Sequence, residues 1–258
     1  MYMTSVKTPE EIQIMRVGGA KIGKILQELL AMSKVGMRLL DLEAHAQKRI
    51  KEEGGEPSFS TVGDYQWATC LCVNDVVVHG IPSEYRLQHG DVFTIDIGMI
   101  YEGLHTDTAW SMIIGDEKDK TDSKKRFLQV GADTLWKAIA AARPGNRIGN
   151  ISEVIEREIE GAGYSVIKDL TGHGIGKKLH EEPMIPEYVR GDISRTPLLT
   201  SGMTIAIEVI YAEGKGSIEY VGDDGWALAS RDQSMTATFE HTILIGDPES
   251  AVLTKPEN

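Results

Sequence analysis

The fold is decided by two stretches of sequence, Gly90-Asp91-Val92-Phe93-Thr94-Ile95-Asp96 and Gly202-Met203-Thr204-Ile205-Ala206-Ile207-Glu208. Each begins with glycine, continues as a strand-like apolar run and ends in an acid, and the second follows the first by 112 residues. Gly36–Glu43 and Gly145–Ser152 form a second similar pair, 109 residues apart. Similar segments at nearly equal offsets indicate an internal duplication, although short strings of this kind also arise by chance.

Both proposed halves run from helices into strands. Thr8 as N-cap, with Pro9 at the first helical position and Glu11 completing a capping box, predicts the start of the first helix. Asn150 with Glu153 is expected to begin the last helix in the same way. The further helices are predicted at about 40–53 and 124–142, and the strands at 67–73, 92–100, 108–114, 203–211 and 235–245.

The composition limits the classes of function. The 258 residues are 41% hydrophobic and 26% charged, which is typical of a globular protein. The net charge of −12 repels phosphate backbones and anionic lipids, so neither nucleic acid nor a membrane surface is an expected partner. No apolar run approaches the roughly 18–20 residues of a spanning helix. The two cysteines, Cys70 and Cys72, are expected to stay reduced, which favours a cytoplasmic location.

Acidic side chains within apolar strands predict a metal site. An unpaired buried carboxylate costs several kcal/mol, so Asp96 and Glu208 need a partner. Asp107 follows a short turn at 101–103 that could bring it beside Asp96, Glu240 begins a late strand, and His173 stands between glycines. Oxygen donors with one nitrogen suit Mn²⁺, Fe²⁺, Co²⁺ or Zn²⁺, and an excess of carboxylates favours two ions. Taken singly, each acid could be a surface residue and His173 a turn residue.

The order of these motifs resembles the type I methionine aminopeptidases over nearly the whole chain. The matching segments are 73–82 (Val-Asn-Asp-Val-Val-Val-His-Gly-Ile-Pro), Thr94-Ile95-Asp96, His105-Thr106-Asp107-Thr108, Thr171-Gly172-His173-Gly174-Ile175-Gly176, His180-Glu181-Glu182-Pro183, Ile207-Glu208 and Phe239-Glu240-His241-Thr242. The resemblance implies the pita-bread α/β (α+β) fold, in which a central antiparallel sheet flanked by helices forms two pseudo-symmetric halves. We therefore expect one catalytic domain over residues 1–258, with halves of about 1–120 and 121–258.

The resemblance also implies a dinuclear centre and an activity, the removal of the N-terminal methionine from nascent proteins and peptides. Asp107 and Glu240 would bridge two divalent ions (Co, Mn, Fe, Zn or Ni), Asp96 would chelate one ion, and His173 and Glu208 would hold the other. Ribosome association and a monomeric state are further expectations from the family.

Three residues receive catalytic roles by the same comparison. We hypothesise that Glu208 shuttles the proton of the attacking water, that His180 donates to the developing oxyanion, and that His79 contacts the scissile amide nitrogen. His79 and His180 would thus also bind substrate.

A pocket for the methionine side chain is inferred by alignment. Its expected walls are Tyr65, Cys70, Leu179 and Trp226, with Phe59 as a further candidate. Aromatic and leucine side chains at such spacings are equally typical of a core.

The chain departs from the family at several positions. Many relatives carry threonine at the positions of Gly98 and Ala206 and proline at that of Val209, and a Gly/Tyr-rich loop in place of 60–64. Metal preference or affinity is therefore expected to differ, and the rim of the pocket is the least certain part.

Other readings of the sequence remain. A proline-specific aminopeptidase or dipeptidase of the same fold is the first, and a non-catalytic binding module is the second. Nucleotide binding through 172–177 (Gly-His-Gly-Ile-Gly-Lys) is disfavoured because the phosphate-loop spacing is missing. The acidic pair Glu181-Glu182 is expected to be solvated, although it follows His180.

Overall fold

The structure is a computed structural model that describes residues 6–223, 225–246 and 249–255. Its four α-helices are α1 Pro9–Met32, α2 Leu39–Glu52, α3 Asp122–Ala141 and α4 Ile148–Gly161. Short 3₁₀ helices lie at Phe59–Thr61 and Ile193–Arg195. The strands are β1 Glu56–Pro57, β2 Thr69–Val73, β3 Val76–Val78, β4 Val92–Tyr101, β5 Leu104–Ile113, β6 Ser165–Val166, β7 Thr171–Gly174, β8 Glu181–Pro186, β9 Thr204–Ala212, β10 Ile218–Tyr220, β11 Leu228–Ser230, β12 Thr236–Leu244 and β13 Ala251–Val252.

A ten-stranded sheet organises the fold. Its main path runs β1-β4-β5-β12-β9-β7-β8, with β2, β6 and β13 paired at its sides, and β10-β11-β3 form a small second sheet. Every strand pair of the described residues is antiparallel. The expected fold class, a central antiparallel sheet flanked by helices, is confirmed; the division into halves near residue 120 stays a prediction.

The helices cover one face of the large sheet. Ile95 and Ile97 of β4 pack in one buried cluster with residues of α1 and α2. Ile207 and Val209 of β9 pack in another with residues of α3 and α4. Because side chains alternate between the faces of a strand, the residues between these pairs, Asp96 and Glu208, are directed away from the helices.

The first helix begins as predicted. Thr8 Oγ1 accepts from the Glu11 backbone N–H, and Glu11 Oε2 accepts from the Thr8 N–H. The prediction for the last helix was wrong, because α4 begins at Ile148 and Asn150 is its third residue. Asn150 Oδ1 there accepts from the backbone N–H of Arg147, so the amide caps the helix from within the first turn.

Two strands extend beyond their predicted starts. β5 begins at Leu104, directly after a two-residue turn whose Glu102 and Gly103 both have positive φ angles, of 48° and 81°. This tight turn makes β4 and β5 a hairpin of ten-residue strands and places Asp107 inside β5. Glu240 likewise lies in the middle of β12 rather than at its start. Among the described residues, no helix is long and apolar enough to cross a membrane.

Candidate metal centre and active site

Three of the predicted metal ligands lie on one transverse row of the large sheet. Asp96 of β4 pairs with Ala109 of β5, Ala109 pairs with Glu240 of β12, and Glu240 pairs with Glu208 of β9. Directly paired residues of neighbouring strands project from the same face. The row therefore carries three carboxylates on the face opposite the helices.

The neighbouring row supplies the remaining two. Asp107 of β5 lies opposite Gly98, and His173 of β7 lies opposite Ala206. Thr242 of β12 joins the row, because its Oγ1 accepts from the Asp107 N–H at 2.9 Å and donates to the Asp107 carbonyl at 2.8 Å. All five residues thus project from one patch that spans two adjacent rows of the sheet.

The donor atoms of this patch are close enough to share a cation. One ligand atom each of Asp107, His173 and Glu240 lies within 4.8 Å of the other two. The three side chains are buried, at 5%, 4% and 2% exposure. His173 Nε2 is 3.5 Å from Glu208 Oε1, and His173 Nδ1 lies 2.9 Å from the Gly174 carbonyl oxygen. If Nδ1 carries the proton and donates to that carbonyl, Nε2 is free to act as a ligand.

The carboxylates of the patch lack the partners that a buried acid needs. Asp96 Oδ1 and Glu240 Oε1 are buried without a hydrogen-bond partner. Glu43 is equally buried in the core, but its oxygens accept from the Ala68 and Thr69 N–H groups, from the Thr69 hydroxyl and from Gln47. The contrast shows that the patch, unlike Glu43, is built to be completed by a positive charge.

The pKa values of these groups agree with that conclusion. Burial raises the pKa of Asp107 to about 7. Burial and the charge of Asp107 raise the pKa values of Asp96, Glu208 and Glu240 well above the usual range. Burial also lowers the pKa of His173 to about 3, which keeps the imidazole neutral and able to bind a cation.

These shifts predict how the stability of the metal-free protein depends on pH. Because burial raises the pKa of Asp107 from 3.8 to about 7, the folded state holds this proton more tightly than the unfolded state. The contribution of Asp107 to the free energy of unfolding therefore falls as the pH rises from about 4 to about 7. Urea unfolding of the metal-free protein at pH 5 and pH 7.5 should show wild type losing stability relative to Asp107→Asn. A constant difference between the two proteins would contradict the raised pKa.

The two histidines assigned to substrate lie beside this patch. The His180 ring is 4.5 Å from that of His173 in an edge-to-face arrangement. His79 follows β3 with a positive φ of 57°, and its ring lies 6.1 Å from that of Trp226. Burial lowers the pKa values of His79 and His180, so both rings are neutral near pH 7 and each retains one N–H donor.

A cavity of about 370 Å³ opens over the patch. All the sequence-predicted site residues line it, including Phe59, Tyr65, Cys70, Leu179 and Trp226 in the apolar part of the wall. Tyr65 and Trp226 pack edge to face at 5.2 Å. The structure thus brings the acids, the histidines and the apolar residues around a single space.

Sequence reasoning missed several residues of the cavity wall, which are Val62, Val78, Asp169, Leu170, Thr171, Met184 and Ile210. Ile210 could have been found, because it lies two residues after Glu208 on the same face of β9. Val78 and Thr171 adjoin quoted motifs, whereas Met184 reaches the cavity from β8, which carries no such signal.

The loop that departs from the family shapes the rim of the cavity. Asp64 Oδ1 accepts from the Trp226 indole N–H at 3.1 Å. A Cβ on Gly63 would lie 3.2 Å from the Trp226 ring. The loop therefore holds the indole of Trp226 through one hydrogen bond and one close contact.

The departure at Gly98 has a packing reason. A Cβ at this position would lie 2.8 Å from both Phe59 Cε1 and Ser58 Cβ. Ser58 is fully buried, and its hydroxyl oxygen is 2.5 Å from His105 Nδ1. The glycine thus lets the segment with Ser58 and Phe59 lie directly on the sheet beside Asp107.

We expect Gly98→Thr, which restores the residue of many relatives, to destabilise this protein. The added side chain overlaps Phe59 and Ser58, and overpacking of this kind costs about 1–3 kcal/mol. Thermal unfolding of metal-free protein measures the loss. Phe59→Ala in the same chain should recover part of it; if Gly98→Thr left the melting temperature unchanged, the packing argument would be wrong.

Comparison with known proteins agrees with this geometry. Residues 13–247 match metallopeptidase family M24. The methionine aminopeptidase of Mycoplasma capricolum is 40% identical over 99% of this chain and 100% of its own length. Methionine aminopeptidase 1 of Bacillus subtilis is 36% identical over 98% and 100%. The crystal structure of methionine aminopeptidase from Thermotoga maritima superposes with a TM-score of 0.93 at 37% identity, covering 98% of this chain and 100% of that one.

The chain is therefore a metallopeptidase of family M24. Within this family it groups with the methionine aminopeptidases, to which the three proteins above belong by name.

Proposed function

We infer that this protein removes the N-terminal methionine from proteins and peptides by metal-dependent hydrolysis of the first amide bond. The observation that carries the inference is the convergence of Asp107, His173 and Glu240 donor atoms within 4.8 Å at the base of a cavity with an apolar wall. The full-length identity of 40% and 36% to methionine aminopeptidases supports the same activity.

The ligands that we propose for the cations are Asp96, Asp107, His173, Glu208 and Glu240. Two ions are favoured because the patch holds four carboxylates, two of which leave a buried oxygen without a partner. Oxygen donors with one imidazole fit Mn²⁺, Fe²⁺, Co²⁺, Zn²⁺ or Ni²⁺. Ala206, which occupies the row below Glu208 where many relatives have threonine, removes one hydroxyl from the surroundings of these ligands and is expected to alter metal preference.

Divalent cations in this position would supply a nucleophile from water at neutral pH and an electrophile for the scissile carbonyl. The residues of the chain would provide the proton transfers. Glu208 is the proposed base, because burial and Asp107 raise its pKa into a range where it can accept and release a proton. A neutral His180 would donate its N–H to the carbonyl oxygen, and His79 would donate to the amide nitrogen of the leaving group.

The apolar wall of the cavity would receive the methionine side chain. Cys70, Leu179 and the edge-to-face pair Tyr65–Trp226 offer sulfur, aliphatic and aromatic contacts to a thioether. The carboxylates would attract the free α-amine of the substrate, which restricts cleavage to one N-terminal residue.

The natural substrates would be nascent chains. On that basis we place the protein in the cytoplasm, as a monomer that meets its substrates at or near the ribosome. The whole chain, residues 1–258, would act as one catalytic domain.

Hydrolysis of short peptides tests the proposal. Met-Ala-Ser should be cleaved after methionine in the presence of Co²⁺ or Mn²⁺, and Leu-Ala-Ser should be cleaved far more slowly. Metal-free protein should cleave neither peptide.

Two outcomes would replace the proposal. Cleavage only of peptides with proline in the second position, such as Ala-Pro, would assign a proline-specific peptidase of the same fold. No cleavage with any of the five metals, despite bound ions, would favour a binding module.

A further inference from the structure

A buried ion pair joins the start of the chain to the segment that carries His180. Lys7 Nζ donates to Glu181 Oε2 at 2.8 Å, and the two side chains are only 1% and 14% exposed. The Lys7 backbone is itself fixed, because its N–H donates to the Gly202 carbonyl at 2.8 Å. The expectation that Glu181 is solvated was therefore wrong; its partner lies 174 residues away in the sequence.

Glu181 closes the loop between β7 and β8. It pairs with Gly174 across these strands, and its Oε1 accepts from the Lys178 backbone N–H at 3.1 Å. The enclosed residues 175–180 include Leu179 and His180, both in the cavity wall. Lys7 packs against this loop, since a Cβ on Gly176 would overlap Lys7 Cε. The carboxylate thus ties the loop to itself, and Lys7 ties it to the body of the protein.

We propose that Lys7 is a positioning residue for the hydrolysis, which acts through Glu181 to hold His180 over the metal centre. Removing one partner of a buried ion pair leaves the other charge without compensation. Glu181 would then turn toward water, and His180, its neighbour in the chain, would move with it. This inference rests on the proposed function, because it concerns the geometry of that reaction.

The chain offers a matched control at the same loop. Lys177 forms an ion pair with Glu11 of α1 at 3.0 Å, but the Lys177 side chain is 72% exposed. An exposed pair of this kind contributes little. Lys7→Met and Lys177→Met therefore remove the same charge from two pairs that differ in burial.

We expect Lys7→Met to lower kcat roughly 10- to 100-fold, because displacement of a catalytic group by about 1 Å has an effect of that size. KM and bound metal should change much less, since the proposed ligands lie on the sheet. Lys177→Met should change kcat by less than about 2-fold. An equal loss in both variants would contradict a specific role for Lys7.

A second background separates positioning from general stability. In His180→Ala protein, Lys7→Met should lower kcat no further, because the group on which it acts is already missing. The loss of melting temperature caused by Lys7→Met should persist in that background. If kcat fell by the same factor with and without His180, Lys7 would act elsewhere and the proposal would be wrong.

Amide hydrogen exchange gives a readout that does not need activity. In metal-free protein, Lys7→Met should speed exchange of residues 175–181, and Lys177→Met should not. If Lys7→Met does not fold, Glu181→Gln tests the same ion pair from its other side. Unchanged exchange in the variant that folds would overturn the proposal, whereas failure of wild type to cleave any methionyl peptide would overturn only the proposed function.

Discussion

Replacing Asp107 with asparagine is expected to abolish high-affinity binding of divalent metal and to lower kcat/KM by at least about 10³-fold. Asp107 is 5% exposed, and its donor atom lies within 4.8 Å of those of both His173 and Glu240, so this carboxylate stands at the centre of the patch. Without it, a cation would lose a charged ligand in a buried setting, where no water replaces it easily.

Asp96→Asn should have a graded effect. Asp96 stands at the β4 end of its row and outside the group of Asp107, His173 and Glu240. We therefore expect this variant to lose one of two ions and to retain the other. Isothermal titration with Mn²⁺ and elemental analysis of the purified proteins would distinguish two, one and no bound ions.

Glu43→Gln is the matched control for both variants. It also removes a carboxylate that is 2% exposed, but one whose oxygens are fully hydrogen-bonded outside the cavity. This variant should lose stability and keep its metal. Full metal content in Asp107→Asn would refute the ligand assignment, and loss of metal in Glu43→Gln would show that metal content follows stability alone.

Strand periodicity was enough to predict which way the central acids point. Ile95 and Ile97 flank Asp96, and Ile207 and Val209 flank Glu208, so an apolar helix layer on one face places both acids on the other. The register between strands was not predictable in this way. That Asp96, Glu240 and Glu208 share one row depends on backbone pairings between segments more than 100 residues apart in the chain.

Long-range side-chain partners also escaped the sequence. Glu181 belongs to a Glu-Glu pair, a pattern typical of solvated surface, and nothing local indicates Lys7 as its partner. The hydrogen bond from Trp226 to Asp64 similarly joins two loops whose conformations are set by packing rather than by periodicity. Motif order could therefore identify the residues of the site, but it could not predict what holds them in place.

Replacing His79 tests catalysis apart from metal binding. His79 adopts a positive φ of 57°, which an L-residue other than Asn or Gly adopts at a cost, so His79→Ala would combine loss of the imidazole with backbone strain. His79→Asn keeps a residue that tolerates this conformation. We expect it to lower kcat about 10²- to 10³-fold, which is typical for loss of one proton-transfer or oxyanion-stabilising group.

The metal content of His79→Asn should match that of wild type, because His79 belongs to the segment after β3 and not to the rows of the large sheet that carry the acids. Its KM should rise only modestly, since the apolar wall that would hold the methionine side chain remains. Steady-state kinetics with Met-Ala-Ser, measured beside elemental analysis of the same protein, separates the two effects. Metal loss in parallel with activity would make His79 part of the metal centre, and an unchanged kcat would leave His180 and Glu208 as the groups that transfer protons and stabilise the developing charge.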